Sequence, residues 1–227
     1  MKAFAAGALS ILLASGAGAD TYKGLTLGDP VPEQMTPLSS QLFAAGLDAQ
    51  DLPEPFASLC KHEFFVLGHG VIWAKSTGCD GPVIMVSAFE PLRVFHSPAD
   101  ALALRLMSDI DGITFIETNL GDVADKFGSA GLIGGPYGQM QGSPIGIYSL
   151  AYGVGETGTV AVFSFQTPIE IGLLSTQTPP TDPQDRVTAP IIAIDLLSAD
   201  YFALTLEGAN VTRDSGYVPL PADLFAD

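Results

Sequence analysis

The sequence predicts an α+β protein in which two tandem β-β-α-β repeats pack as one compact unit around a mainly antiparallel sheet. Three observations favour this class. Similar pairs of apolar strands recur along the chain, a capped helical pattern follows the first pair, and 47% of the residues are hydrophobic while only 15% are charged. Such a composition supplies a sizeable core and is not typical of disordered chains.

The repeat rests on a shared order of residue types. Each copy opens with an aliphatic–aromatic pair, closes its first strand on a glycine, continues with a second apolar strand and then has a proline. Further on, a helix candidate and a short final strand match at a constant offset of 90 residues. The alternative is chance similarity between apolar strands. The matched segments are 72–78 with 147–153, 83–87 with 160–164, 103–108 with 193–198, and 116–117 with 206–207.

The first nineteen residues have the order of a secretory signal. Lys2 is a basic start, residues 3–14 are apolar, and Ala17-Gly18-Ala19 is the small-x-small pattern that precedes a cleavage site. The apolar part is shorter than the ~20 residues that a membrane-spanning helix needs. We expect cleavage near Ala19 and a periplasmic or secreted chain; an amphipathic N-terminal helix is the alternative.

The remaining chain divides into three parts. Residues 20–62 form an N-terminal segment punctuated by prolines, with one or two short helices expected near residues 39–47 and 55–59. The first α+β repeat is expected in residues 63–118. A linker helix, the second repeat and a C-terminal tail are expected in residues 119–227.

Two helices are predicted from their caps. Ser97 is a favourable N-cap, Pro98 suits the first helical position, and Gly112 follows the end of that helix. Asn119 is expected to cap the linker helix, which should end at Gly128.

The second copy of the repeat is harder to assign. The segment Ile191–Leu197 carries β-branched residues that favour a strand, whereas the repeat places a helix there. We expect the helix, and keep as the alternative a hairpin formed by this segment and residues 201–206.

The two cysteines, Cys60 and Cys79, are expected to form a disulfide in an oxidising compartment. Residues 63–67 and 71–75 predict two strands joined by a Gly-His-Gly turn, and a hairpin folded there places the cysteines opposite each other. Closing such a loop stabilises a protein by roughly 3 kcal/mol in the chain-entropy model.

A zinc site is the alternative use of the same region. Structural zinc sites usually combine two tight pairs of ligands, and here only Cys60 and His62 are close in sequence, with His69 expected at the hairpin tip. We therefore expect neither a metal nor another cofactor.

Motifs for catalysis are sparse. Ser58 to Lys61 matches the S-x-x-K pattern of penicillin-recognising enzymes, but the accompanying S-D-N and K-T-G motifs are missing. With His62, His69 and His96 in the chain, a dispersed Ser–His–Asp triad stays open, because its members need not be close in sequence.

The charge of the chain bears on its partners. A net charge of −16 at pH 7 disfavours binding to nucleic acid and to anionic membranes. No later apolar run has the length of a membrane span.

Trp73 and Tyr148 occupy equivalent places in the two copies and would form a partner surface if exposed, or part of the core if not.

The function expected from these observations is that of an exported, periplasmic, non-enzymatic module that binds or assembles with a protein partner. Two alternatives remain: a small secreted hydrolase with a dispersed Ser/His/Asp site, and a module that binds a small molecule or a cation.

Overall fold

The protein has a large antiparallel sheet with a helix against each face. The computed structural model describes residues 21–22, 25–33, 35–37, 52–66, 70–89, 113, 118–137, 145–154, 158–168, 191–209 and 216–221. The strands are β1 (Thr21–Tyr22), β2 (Leu25–Thr26), β3 (Thr36–Pro37), β4 (Leu59–Val66), β5 (Gly70–Thr77), β6 (Val83–Phe89), β7 (Leu132–Tyr137), β8 (Ile145–Val154), β9 (Thr159–Pro168), β10 (Ile191–Leu197) and β11 (Val218–Pro219). The helices are α1 (Leu120–Phe127) and α2 (Ala199–Leu206), and a short 3-10 helix spans Phe56–Ser58.

Nine of the described strands form one sheet in the order β11-β7-β8-β9-β10-β6-β5-β4-β3, while β1 and β2 pair separately. Every neighbouring pair in the sheet is antiparallel. Strand β10 is the fifth of the nine, so it joins a group built on β4–β6 to a group built on β7–β9. The predicted α+β class and antiparallel sheet are thereby confirmed.

The tandem repeat is not confirmed. The segments that begin at Ile72 and Ile147 each belong to the first strand of a hairpin, and the two hairpins flank β10. The later parts differ, because the expected helix at Ile191–Leu197 is strand β10, and residues 206–207, which the repeat matches to a final strand, are the end of α2 and its C-cap. Residues 201–206, a strand in the alternative hairpin, also lie in α2. The first copy's helix, expected at residues 97–111, lies outside the described residues.

The helix expected at Ile191–Leu197 was therefore the wrong choice, and the physical reason is local. The strand has a neighbour on each side and both of its faces are covered, so all of its described side chains are buried. A strand in this position needs a nearly continuous apolar run, and β-branched isoleucines suit that backbone.

The N-terminal part contains less helix than expected. The helix predicted at residues 55–59 is the short 3-10 helix Phe56–Ser58, and strand β4 already begins at Leu59. The helix predicted at residues 39–47 lies outside the described residues, and so do the signal segment and its cleavage site.

The sheet has two covered faces, named here after their helices. On the α1 face, Phe127 of α1 contacts the rings of Tyr152 and Phe163, each with ring centroids 5.3 Å apart. On the α2 face, Tyr201 and Phe202 of α2 pack into a second cluster of buried residues. The sheet residues of this second cluster are Ile84, Met85, Leu132, Ala151, Val160, Val162 and Leu197.

Helix α1 has the predicted ends. The Asn119 side chain accepts a hydrogen bond from the Asp122 backbone N–H at 3.0 Å, and the Asp122 carboxylate accepts one from the Asn119 backbone N–H at 2.9 Å. This reciprocal capping box satisfies backbone donors that the first helical turn leaves open. Gly128, with a φ of 80°, ends the helix as expected.

Tyr152→Phe is predicted to stabilise the protein by about 1 kcal/mol. The Tyr152 hydroxyl is buried without a hydrogen-bond partner in the described ranges, and burial raises the pKa of this phenol. Removing an unsatisfied buried hydroxyl removes a desolvation penalty of about 1–3 kcal/mol. Urea denaturation measures the change in the free energy of unfolding.

Tyr201→Phe is the matched control, because Tyr201 is as buried as Tyr152 and its hydroxyl accepts a hydrogen bond from Lys75 at 3.0 Å. This second change should destabilise the protein. Equal destabilisation by the two changes would show that Tyr152 has a partner in solution.

Candidate functional site

A buried histidine–serine pair lies where β4 and β5 approach the disulfide. The His62 Nε2 atom is 2.8 Å from the Ser76 hydroxyl, and the two side chains are 1% and 0% exposed. Ser76 donates its single hydroxyl hydrogen to the Gly78 carbonyl at 2.6 Å. His62 Nε2–H must therefore be the donor to Ser76, which leaves Nδ1 as an acceptor. Nδ1 is buried and has no hydrogen-bond partner among the described residues.

The hydrogen bond between His62 and Ser76 has the opposite direction to the one between histidine and serine in a serine hydrolase. In a catalytic triad the serine donates its proton to the histidine, which then acts as a base, and a carboxylate orients the other ring nitrogen. Here the serine proton is held by a backbone carbonyl, and no carboxylate in the described part of the chain bonds to Nδ1. In this geometry His62 positions Ser76 and the adjacent turn instead of activating a nucleophile. His69 and His96 lie outside the described residues.

The disulfide between Cys60 and Cys79 is present, with an S–S distance of 2.06 Å and Cα atoms 4.9 Å apart. Its geometry differs from the predicted one, because the residue directly opposite Cys60 is Ser76. Gly78 takes a positive φ of 76°, and this turn returns Cys79 to Cys60. The backbone N–H of Gly78 donates to the Ser58 carbonyl at 2.5 Å, which fixes the turn.

The zinc site considered as an alternative would use Cys60 and Cys79 as ligands, but these two cysteines are bonded to each other in a disulfide. Within the described ranges, no group of three or more His, Cys, Asp or Glu side chains is placed to hold a metal ion.

Two further polar pairs lie on the α2 face in the middle of the sheet. Ser87 on β6 donates a hydrogen bond to the carboxylate of Asp195, directly opposite on β10. Ser149 on β8 and Ser164 on β9 are also directly opposite and hydrogen-bond at 2.8 Å. All four side chains are buried. These pairs contribute to the choice of strand register, because a slip of one residue would separate the partners.

The sequence analysis missed these two pairs, although it contained a signal for them. Asp195 interrupts the long apolar run of residues 191–206, and Ser87, Ser149 and Ser164 each stand within an apolar strand. A lone polar residue in such a strand indicates a partner on a neighbouring strand. The identity of that partner depends on the strand order, which the sequence does not show.

Trp73 and Tyr148 do not form the paired surface considered above. Tyr148 is 1% exposed and stacks on Phe165 in the core of the α1 face, with ring centroids 5.8 Å apart. Trp73 lies opposite Ser87, whose side chain is on the α2 face. The two aromatic residues therefore project from opposite faces of the sheet, and of the two only Trp73 is partly exposed.

Trp73 belongs to what we term the hairpin surface: the half-buried side chains of Leu59, Lys61, Trp73 and Lys75 on the α2 face of β4 and β5. Lys61 and Lys75 are directly opposite each other across the two strands. Lys75 Nζ donates to the Tyr201 hydroxyl at 3.0 Å and lies 5.5 Å from the centroid of that ring. The buried ring of Tyr201 thus fixes the position of one of the two ammonium groups.

Comparison of the chain with protein-family models, curated proteins and solved structures found no match. Among the described helices, none has the length and apolar character needed to cross a membrane. The function must therefore be inferred from the chain's own chemistry, and the disulfide is typical of proteins that fold in an oxidising compartment.

Acidification is predicted to destabilise the protein through His62. Burial lowers the pKa of His62 below its unfolded value of about 6.5, and the Asp80 carboxylate offsets part of this effect. A lowered folded pKa contributes stability that is complete above the unfolded pKa and is lost as the pH falls through the folded pKa. A single group of this kind changes the free energy of unfolding by at most about 1.4 kcal/mol per pH unit.

The comparison variant is His62→Gln, which keeps a donor but does not titrate. Urea denaturation from pH 8 to pH 4 should give a steeper loss of stability below pH about 6.5 for the native chain than for the variant. Parallel curves for the two proteins would show that His62 is not buried in its neutral form.

Ser87→Ala is predicted to destabilise the protein more than Ser164→Ala. The first change removes a donor to the fully buried Asp195 carboxylate, and hydrogen bonds to charged groups contribute about 1.5–3 kcal/mol. The second removes a bond between two hydroxyls, which contributes about 1 kcal/mol. Denaturation midpoints measure both, and an equal or reversed order would contradict the assigned role of Asp195.

Proposed function

We propose that the chain is an exported, non-enzymatic module that binds a protein partner through the hairpin surface. The observation that carries this proposal is the position of Trp73, the chain's only tryptophan, partly exposed beside two lysines on the sheet. Tryptophan is enriched among the residues that contribute most to binding energy, because its large ring buries much apolar area at a small cost in entropy.

The described polar groups with catalytic potential support binding over catalysis. Ser76 and Asp195 are both buried; the Ser76 hydroxyl donates to the Gly78 carbonyl in the turn after β5, and the Asp195 carboxylate accepts from Ser87 within the sheet. The hydrolase and the small-molecule or cation module are not favoured by any observation among the described residues.

The edges of the sheet favour docking on its face over the addition of a partner strand. The outermost described strands, β3 and β11, are two residues long, and each contains a proline, at Pro37 and Pro219. Proline has no backbone N–H to offer to another strand, and short edge strands discourage edge-to-edge pairing. A partner would therefore be recognised by side chains, as on the hairpin surface.

The disulfide supports both the proposed export of the chain and the proposed use of the hairpin surface for binding. It fits a periplasmic or secreted protein, in line with the expected signal segment. It also ties the start of β4 to the turn after β5, next to the hairpin surface. A surface that is already rigid loses less conformational entropy when a partner binds.

The test is crosslinked capture from an extract of the compartment that receives the chain. The native chain should retain a stoichiometric protein partner, and Trp73→Ala should reduce capture about tenfold or more, as expected for a loss of ~1.4 kcal/mol. Val218→Ala is the matched control, since Val218 is 41% exposed on β11 at the opposite edge of the sheet.

Two results would overturn this proposal. One is that the native chain captures no partner under crosslinking. The other is that Trp73→Ala captures the partner as well as Val218→Ala does, with both variants shown to be folded by circular dichroism.

A further inference from the structure

We infer that His62 is an acid-sensitive lock on the N-terminal strap, the name used here for residues 25–33 and 35–37. The neutral imidazole keeps the strap attached to the sheet at two places. A protonated imidazole lets both attachments loosen, so that the strap opens while the rest of the sheet stays folded. This device goes beyond the proposed function, because it operates whether or not the hairpin surface binds a protein.

The strap is held to the core by a small number of side chains. Leu25 and Met35 are buried in the apolar cluster of the α1 face, together with Ile72 of β5 and Val86 of β6. Residues 28–30, between them, are exposed. Segments with few buried apolar contacts open at a lower free energy than the core of a protein does. The strap is therefore a segment whose closure a single buried group can influence.

Two attachments join the strap to the sheet. At its C-terminal end, β3 pairs with β4, and Pro37 lies directly opposite His62. Nearer its start, the Gly28 N–H donates to the Val83 carbonyl at 2.8 Å, and the Val83 N–H donates to the Asp29 carbonyl at 2.8 Å. Val83 is the first residue of β6 and directly follows the turn after β5. One attachment thus lies beside His62 and the other beside that turn.

His62 is linked to the turn as well as to β3. Its Nε2–H donates to Ser76, whose hydroxyl donates to the Gly78 carbonyl at 2.6 Å. At the end of the turn, the Thr77 N–H donates to the Pro82 carbonyl at 3.3 Å, immediately before β6. A change in the position of the imidazole therefore reaches both attachments, one through β3 and the other through the turn.

The closed position of His62 suits the neutral ring. The side chain is 1% exposed, and its Nδ1 atom has no hydrogen-bond partner in the part of the chain that the structure describes. Protonation adds an N–H at Nδ1 while the N–H at Nε2 stays on Ser76. A buried donor without an acceptor is unfavourable, and a buried charge adds to the cost. Water supplies the missing acceptor when β3 or the turn moves away from the ring.

One charged group opposes this effect. The Asp80 carboxylate, in the turn after β5, raises the pKa of His62, but burial has the larger influence and lowers it below the usual value of 6.5. The other charged residues of the described elements next to His62 either are exposed on the strap or occupy alternate strand positions that belong to the α2 face: Asp29, Glu33, Lys61, Glu63 and Lys75.

The direction of the pH effect follows from this lowered pKa. An opening that hydrates the imidazole returns its pKa toward about 6.5, so the open form binds the proton more tightly than the closed form. Opening is therefore favoured as the pH falls below about 6.5, by at most about tenfold per pH unit, until the pKa of the closed form is passed.

Hydrogen exchange followed by NMR tests the lock on the mature chain with its disulfide intact. The amides of Gly28 and Val83 report on the strap, and those of Ile194 and Leu196 in β10 report on global unfolding. After correction for intrinsic exchange rates, the strap amides should open at a lower free energy than the β10 amides. Their opening constant should rise by up to about tenfold per pH unit below pH 6.5 and level off at the pKa that the His62 ring protons show.

Two variants provide the comparison. His62→Gln keeps a donor for Ser76 but does not titrate, so its strap amides should open to the same extent at pH 7.5 and pH 4.5. Asp80→Asn is a change at an exposed position that removes the charge favouring the imidazolium. In this second variant the opening should continue to increase to a lower pH than in the native chain.

Three results would overturn the lock. The first is that the strap amides open at the same free energy as the β10 amides, since the strap would then have no opening of its own. The second is an opening constant of the native strap that does not change with pH. The third is the same pH dependence in His62→Gln as in the native chain. If His62→Gln does not fold, a levelling-off pH that fails to follow the His62 pKa between the native chain and Asp80→Asn has the same force.

Discussion

The insertion of β10 between β9 and β6 is the constraint on which the rest of the structure depends. This strand pairs antiparallel with both neighbours and so makes one sheet of two strand groups that are separate along the chain. Its register is defined by Asp195, which is fully buried and accepts a hydrogen bond from Ser87. A slip of one residue would turn the carboxylate to the apolar α1 face, where burying a charge without its donor is strongly unfavourable.

The outer part of the sheet depends on this centre. Strand β6 pairs with β10 on one side and with β5 on the other, and β5 carries Trp73 and Lys75. Helix α2 directly follows β10 and provides the Tyr201 hydroxyl that holds Lys75. The position of the hairpin surface relative to α2 is therefore set by core packing and one hydrogen bond, while the disulfide fixes the far end of the same hairpin.

Sequence patterns predicted well those features that depend on residues close together along the chain. The caps of α1 at Asn119 and Gly128, the disulfide and the strand character of the β4–β5 hairpin follow from neighbouring residues. Ile191–Leu197 was misassigned because the repeat was given more weight than its β-branched residues, and apolar segments resemble one another whether they form helices or strands. The Ser87–Asp195 pair joins residues 108 positions apart and depends on strand order, which no local pattern contains.

Hydrogen exchange of the β10 amides tests most directly the claim that this strand joins the sheet into one cooperative unit. The account predicts that the amides of Ile194 and Leu196 exchange only through global unfolding, with an opening free energy equal to that from urea denaturation. Exchange of these amides at a lower free energy than those of β5 and β8, or two separate unfolding transitions for the two strand groups, would contradict it.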